Sequence, residues 1–154
     1  MVRGFILADP ALKAALGTRV YPLKLPQSVT YPAMTLMRVS TTTSPPLRGG
    51  RASLARPRYQ ADIWTYEGGD NAFETCQQIG DLLRARLEGA TVQLLDTSVT
   101  PAAWRYFAFE LADDQDIYEQ PGEGGGGGGG GSGGYFRYSA DFLISHQTGQ
   151  GPST

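Results

Sequence analysis

The spacing of apolar side chains along the chain predicts two helical regions. Residues 2–17 are expected to form a helix in two pieces, since the pair Asp9 and Pro10 is typical of a helix N-terminus and Gly17 of a helix C-terminus. A longer helix is predicted over residues 70–88, where apolar side chains recur at helical spacing on one face: Ala72, Cys76, Ile79, Leu83 and Leu87.

A period of two residues predicts strands elsewhere. Residues 33–43 and 56–66 are rich in β-branched and aromatic side chains, and residues 135–146 alternate most regularly between apolar and polar positions. A short strand is expected at residues 92–95, and residues 102–119 begin as a strand whose end becomes acidic. The order helix, strands, helix, strands predicts an α+β fold, in which an antiparallel sheet of about four to five strands has helices packed on one face.

The segment 120–134 is mostly glycine and lies between two predicted strands. The strand after it is too short to hold a core of its own, which disfavours a linker between two domains. Lengthening a hairpin loop from about four to about fifteen residues costs only about 1 kcal/mol. The segment is therefore predicted to be one long Gly-rich hairpin loop inside a single domain of residues 1–146, followed by a flexible tail of residues 147–154.

The charge of the chain excludes two classes of partner. There are 13 Lys and Arg residues against 15 Asp and Glu residues, which gives a formal net charge of -2. Such a chain lacks the basic footprint of a nucleic-acid-binding protein and the polybasic patch of a membrane-surface protein. No stretch approaches the length of an apolar membrane span, so no membrane partner is expected.

The residues that carry much of enzyme chemistry are scarce. Cys76 is the only cysteine and lies on the apolar stripe of the long predicted helix, so we expect it in the core. His146 is the only histidine and is expected at the surface, where the last strand ends. One cysteine and one histidine allow neither an internal disulfide nor a cysteine or histidine metal cluster, and the acidic run Asp113–Asp116 lacks the spacing of a calcium loop, so no cofactor and no enzyme activity are predicted.

Six segments in a fixed order resemble a known family. They are LADPALKAALGTRVYPL (7–23), YPAMTLMRVS (31–40), ARPRYQADIWTY (55–66), AFETCQQIGDLLRARLEG (72–89), DDQDIYE (113–119) and YFRYSADFLISH (135–146). Together they resemble the small tail completion proteins of long-tailed bacteriophages, which include tail terminators and tail-to-head joining proteins. The resemblance covers most of residues 5–146, and the glycine run stands where relatives have a short turn.

The resemblance implies a structural role in the virion. It implies a ring, commonly a hexamer, at the head-proximal end of the tail tube, where the ring stops tube polymerisation and presents a surface to the neck. The partners it implies are other copies of the chain, the tail tube protein and the neck (stopper) protein, while DNA only passes through the lumen. The chain would be assembled in the host cytoplasm and remain in the tail, with no catalytic residue and no cofactor.

Two sets of residues are candidates for these contacts. The aromatic side chains of Trp64, Tyr66 and Trp104 lie on amphipathic strands and are expected to anchor subunit interfaces. An acidic lumen would repel phosphate and let DNA slide. Four carboxylates near the end of one strand are candidates for this lining: Asp113, Asp114, Asp116 and Glu119.

Two alternatives stay open beside the ring. The first is another neck or connector adaptor, or a minor tail protein, built on a similar small domain. A terminator is expected to form closed rings that cap tubes, and this separates it from such an adaptor. The second and least favoured alternative is a small enzyme that uses Cys76 or His146.

Overall fold

The computed structural model describes residues 2–44, 53–96, 103–120 and 133–148. Three helices and six strands lie in this part of the chain. In chain order they are α1 (Val2–Leu7), α2 (Pro10–Leu16), β1 (Val20–Pro22), β2 (Ala33–Ser44), β3 (Ser53–Tyr66), α3 (Ala72–Leu87), β4 (Thr91–Asp96), β5 (Ala103–Glu119) and β6 (Tyr135–Thr148).

The strands form one six-stranded sheet in the order β1-β2-β3-β6-β5-β4. Neighbouring strands are antiparallel except β1 and β2, which run parallel with Val20 opposite Met34. The expected combination of helices and sheet is correct, but the sheet is larger than four to five strands and is mixed rather than antiparallel. The difference comes partly from β1, which has only three residues and ends at Pro22. Such a short strand has no readable alternation.

The helices pack on one face of the sheet, which we call the core face. Every residue of the stripe predicted for α3 is buried, and Ile6, Leu12 and Leu16 of the first two helices are fully buried beside it. The sheet meets them with one set of alternating side chains, which is what a sheet with one covered face requires. These are Met34, Ala61, Ile63, Phe107, Phe109, Tyr138, Ala140, Phe142 and Ile144.

The ends of the helices follow the local sequence. Asp9 caps α2, since its Oδ1 accepts hydrogen bonds from the backbone nitrogens of Ala11 (2.9 Å) and Leu12 (3.0 Å), and Gly17 ends the helix at a φ of 57°. Asn71 occupies the cap position of α3 in a left-handed conformation, without a side-chain cap bond. None of the described helices is long and apolar enough to cross a membrane.

The glycine run connects two neighbouring antiparallel strands. Glu119 of β5 pairs with Tyr135 of β6, and the pairing continues along both strands. On its other side β6 pairs with β3, so the strand that follows the run lies in the interior of the sheet. Its last two residues, Gln147 and Thr148, fall within the predicted tail and pair with the start of β3. Residues 121–132 and 149–154 lie outside the described part of the chain.

Candidate interaction surface

The sheet has a second face, opposite the helices, which we call the open face. Side chains alternate along a strand, so the residues between the core positions point to this face. On β3 these residues are Arg56, Arg58, Gln60, Asp62, Trp64 and Tyr66. The register places beside them Thr35 of β2, Tyr135, Arg137, Ser139 and Asp141 of β6, and Glu110, Asp113 and Glu119 of β5. The open face is therefore polar and rich in charge.

A buried polar network lies at the centre of the open face. Asp62 is 8% exposed, and Thr35 and Ser139 on the two flanking strands are also buried. The Thr35 hydroxyl donates to Asp62 Oδ2 (3.4 Å), and the Gln60 amide donates to Asp62 Oδ1 (3.0 Å) and to Ser139 Oγ (3.4 Å). Burying such groups is costly unless they are hydrogen-bonded. The network therefore favours one pairing of β2, β3 and β6.

Arg137 links this network to an aromatic ring and to the edge of the glycine run. Its guanidinium carbon lies 5.0 Å from the centre of the Trp64 ring, within the range of a cation–π contact. Its nitrogens lie 3.7 Å from Asp62 Oδ1 and 2.9 Å from Glu119 Oε1. The Trp64 indole nitrogen donates to Thr35 Oγ1 (3.3 Å). Trp64 is therefore held on both sides within the subunit and remains half-buried.

Two more arginines on the open face are paired across strands. Arg58 of β3 bonds to Asp141 of β6, and this bond raises the pKa of the arginine. Arg56 lies 2.8 Å from Glu110 of β5, in a pair whose side chains are 41% and 63% exposed. With Arg137, three arginines of the open face are thus matched by carboxylates. The surface offers phosphate few free cations.

Three tyrosines cluster where the glycine run leaves the sheet. The ring of Tyr135 lies 5.4 Å from Tyr31 and 5.6 Å from Tyr66, measured between ring centres, and Tyr31 lies 6.5 Å from Tyr66. Burial and the neighbouring Tyr135 raise the pKa of Tyr31 to about 12. The backbone of Gly133 packs against this cluster, since a Cβ at this position would lie 3.2 Å from the Tyr66 hydroxyl.

Glu67 fixes the end of the glycine run from the side of β3. Its carboxylate Oε2 accepts from the backbone nitrogen of Gly134 (2.6 Å) and from the Tyr118 hydroxyl (2.8 Å), and its own backbone nitrogen donates to the Gly134 oxygen (3.0 Å). These bonds favour the ionised carboxylate and lower the pKa of Glu67. A Cβ on Gly134 would lie 2.7 Å from the backbone oxygen of Glu119, so only glycine fits.

The four predicted lining carboxylates lie on two faces of the sheet. Asp113 and Glu119 are on the open face. Asp114 and Asp116 point to the side of α3, where Asp114 bonds to Arg84 and accepts from the Tyr138 hydroxyl (2.8 Å), and Asp116 accepts from Gln77 (3.3 Å). A register shift between Leu111 and Asp113 changes which residues of β5 face the core.

The three predicted interface residues do not form one cluster. Trp64 and Tyr66 lie two residues apart on the open face of β3, near the end of β5 that bears Ile117 and Glu119. Trp104 lies near the other end of β5, with its backbone opposite Leu95 of β4. The Trp104 side chain lies outside the described part of the structure.

Comparison with known protein families decides what kind of protein carries this surface. The family model of tail completion protein gp17 matches residues 2–120. The chain belongs to this family. A comparison with individual curated proteins gives no match. Membership assigns the chain a structural role in phage tail assembly and places it in the virion tail, in agreement with the resemblance noted from the sequence.

The match to the tail completion family stops at the start of the glycine run. It covers all three helices and β1 to β5, but not β6. In the structure β6 is nevertheless central, because it lies between β3 and β5 and contributes Tyr138, Ala140, Phe142 and Ile144 to the core. The strand is therefore part of the fold of this family member even though it lies beyond the matched segment.

The geometry around Cys76 and His146 agrees with a non-enzymatic family. Cys76 is 1% exposed, as expected, and its thiol donates to the backbone oxygen of Ile63 (3.5 Å). Burial raises the pKa of this thiol, which disfavours the thiolate nucleophile. His146 is half-buried within β6, its ring 5.1 Å from that of Phe107, and not at the strand end expected from the sequence. The described residues hold no group of three or more metal ligands.

Several contributors to the surface were missed by sequence reasoning. The alternation marks Asp62 and Arg137 only as polar positions of strands, Thr35 lies in a strand predicted from its β-branched and apolar residues, and Tyr31 and Glu67 lie in connecting segments. One readable signal was overlooked. Residues 10–61 contain eight Lys and Arg and no Asp or Glu, whereas residues 67–119 contain eleven Asp and Glu and three Arg.

Proposed function

We propose that this protein forms a ring at the head-proximal end of the tail tube, where it ends tube polymerisation and provides the surface that joins the tail to the head. The observation that carries the proposal is the match of residues 2–120 to the tail completion family. The partners are other copies of the chain, the tail tube protein and the neck (stopper) protein. Assembly takes place in the host cytoplasm.

The open face supports the lumen side of this proposal. A wall along which DNA slides must not bind phosphate tightly, and free Lys and Arg side chains are what binds it. On the open face Arg56, Arg58 and Arg137 are all paired with carboxylates, of which Glu119 is one, and Asp113 adds further negative charge. Asp114 and Asp116 are engaged toward α3, so the proposed acidic lining reduces to the two carboxylates on the open face.

The aromatic side chains remain the proposed anchors between subunits. Trp64 and Tyr66 are half-buried within one subunit and keep surface for a neighbour, and Trp104 is proposed on its sequence alone. Aromatic residues held rigidly by their own subunit lose little entropy on contact, which favours them as anchors. No catalytic step and no cofactor enter this function.

The test is a phage that lacks the gene for this chain, imaged by electron microscopy. Overlong tails, or tails of uneven length without heads, are the result expected of a missing terminator. Normal virions would overturn the proposal. Tails of normal length that fail to join heads would instead favour the neck-adaptor alternative. Supply of the chain from a plasmid must restore normal virions, which excludes a secondary mutation.

A further inference from the structure

The charges of the chain separate in space as well as in sequence. The described residues 10–44 and 53–61, with six basic and no acidic residues, build α2, β1, β2 and most of β3. Residues 67–119, with eleven acidic and three basic residues, build α3, β4 and β5. Because the sheet order is β1-β2-β3-β6-β5-β4, the basic part lies toward one edge of the sheet and the acidic part toward the other. The two edge segments themselves carry opposite charge, with Arg38 in residues 37–44 of β2 and Asp96 in β4, so a second copy placed edge to edge would meet opposite charge.

The basic side ends in a strand edge that the described residues leave open. β1 pairs with β2 only as far as Leu36, so residues 37–44 have a described neighbour strand only on the side of β3. From Arg38 onward these residues are exposed, and they are rich in β-branched side chains. Proteins usually protect such an edge with proline, lysine or a very short strand, as β1 does with Pro22. Residues 37–44 carry no proline or lysine.

The opposite edge is β4, the last strand of the sheet. Its six residues pair with β5, and no other described strand lies beyond it. β4 has the length to pair along most of residues 37–44. An open strand edge is a template for another chain, through the same backbone hydrogen bonds that hold a sheet together.

We propose that copies of this chain join head to tail, with β4 of one copy adding to the open edge of β2 in the next. The direction follows from the topology. Four antiparallel steps separate β2 from β4, so the two strands point the same way within one subunit. Rotation about a ring axis that runs along the strands keeps that direction, and the new pair is then parallel. The two surfaces differ, so the contact is heterologous and repeats until the ring closes. This inference rests on the proposed ring.

Disulfide trapping tests this contact directly. Neighbouring strands lie about 4.8 Å apart and a disulfide needs Cα atoms within about 7 Å, so a cysteine on each strand, on the same face, can couple. Gln93 of β4 and Ser40, Thr42 and Ser44 of β2 all point to the open face. Three double variants combine Gln93→Cys with Ser40→Cys, Thr42→Cys or Ser44→Cys and so cover three registers. Cys76 stays in place, since it is buried.

The expected result is that oxidation of at least one double variant gives a ladder of covalent oligomers on a non-reducing gel. The ladder should end at the ring size found by light scattering and disappear with reductant. The matched control is Thr41→Cys with Gln93→Cys, because Thr41 points to the other face and should not couple. The single variants should not couple either.

The outcomes separate this contact from the ring itself. If the variants form rings by light scattering but none gives a ladder, the strand-edge contact is wrong and the proposed ring stands. If single Gln93→Cys or Thr42→Cys variants give covalent dimers alone, the edges pair with themselves and the head-to-tail contact is wrong. A chain that stays monomeric at every concentration would overturn both the ring and this contact.

Discussion

The Arg137 guanidinium carbon lies 5.0 Å from the centre of the Trp64 ring, so the cation and the indole stack across the central pair of strands β3 and β6. The same guanidinium lies close to Asp62 and Glu119. Arg137 is 22% exposed, and Asp62 is 12% exposed at its side chain. One side chain therefore neutralises a nearly buried carboxylate and also holds the proposed interface residue Trp64 in place.

Removal of this charge is predicted to destabilise the fold. Arg137→Met keeps the apolar stem against Trp64 but leaves Asp62 and Glu119 without their cation, at an expected cost of about 1–3 kcal/mol in the free energy of unfolding. Urea denaturation measures it. Arg56→Met is the matched control, since the exposed pair of Arg56 and Glu110 is worth about 0–1 kcal/mol. Equal losses in the two variants would contradict a special role for Arg137.

A second prediction concerns the contact between α3 and β6. A Cβ on Gly80 would lie 2.8 Å from Cγ of the Tyr138 ring, and the Tyr138 hydroxyl is held by Asp114. Gly80→Ala is therefore predicted to cost about 1–3 kcal/mol through overpacking, which outweighs the gain of up to about 1 kcal/mol in helix propensity. Thermal unfolding measures it. Gly4→Ala in α1 has nothing within 4 Å of the new Cβ and should be stabilising; a stabilising Gly80→Ala would refute this packing.

The elements that could be predicted from the sequence are those in which apolar side chains recur at a regular spacing over many residues. The stripe of α3 and the alternation of β6 each repeat over many residues, so burial of Leu83 or Phe142 was readable. β1 was missed because three residues carry no period, and its pairing depends on Met34, fourteen residues later.

The candidate site was less predictable because it depends on contacts between distant residues. Alternation placed Trp64 and Tyr66 on one face correctly. The run of acidic residues predicts one surface for Asp113 and Asp114, but neighbours in a strand point to opposite faces, and the register shift after Leu111 decides which of the two faces α3. Nothing local marks Asp62 as buried, since its partner Thr35 is 27 residues away.

A third prediction is that the Cys76 thiol is protected in the folded protein. It is 1% exposed and its pKa is raised by burial, so reaction with a thiol reagent requires opening of the fold. We expect native Cys76 to react at least about 100-fold more slowly than the same thiol in denaturant. Gln78→Cys adds a thiol at an exposed position of α3 and supplies the fast reference. Fast labelling of native Cys76 would instead revive the enzyme alternative.

The last prediction follows from the direction in which the fold shifts the pKa of Glu67. The Gly134 nitrogen and the Tyr118 hydroxyl lower the pKa of Glu67 in the folded state, so the fold favours the ionised carboxylate. The ionised Glu67 carboxylate therefore contributes to the stability of the fold above its ordinary pKa of about 4.3. This contribution is lost as the pH falls through the pKa that Glu67 has in the folded state. Glu67→Gln should therefore lower Tm at pH 7, and the difference from the unmodified chain should shrink toward pH 3.

The control for this experiment is Glu88→Gln, which removes the same charge at an exposed position after α3. Because Glu88 lies at the negative end of the helix dipole, this change is expected to leave Tm unchanged or slightly raised at pH 7, which is opposite in sign to the effect of Glu67→Gln. A Glu67→Gln difference that stays constant with pH would mean that the carboxylate charge is not what holds Gly134, and that the shape of the side chain suffices. A difference that grows toward acid pH would reverse the sign and contradict the hydrogen bonds from Gly134 and Tyr118 as its cause.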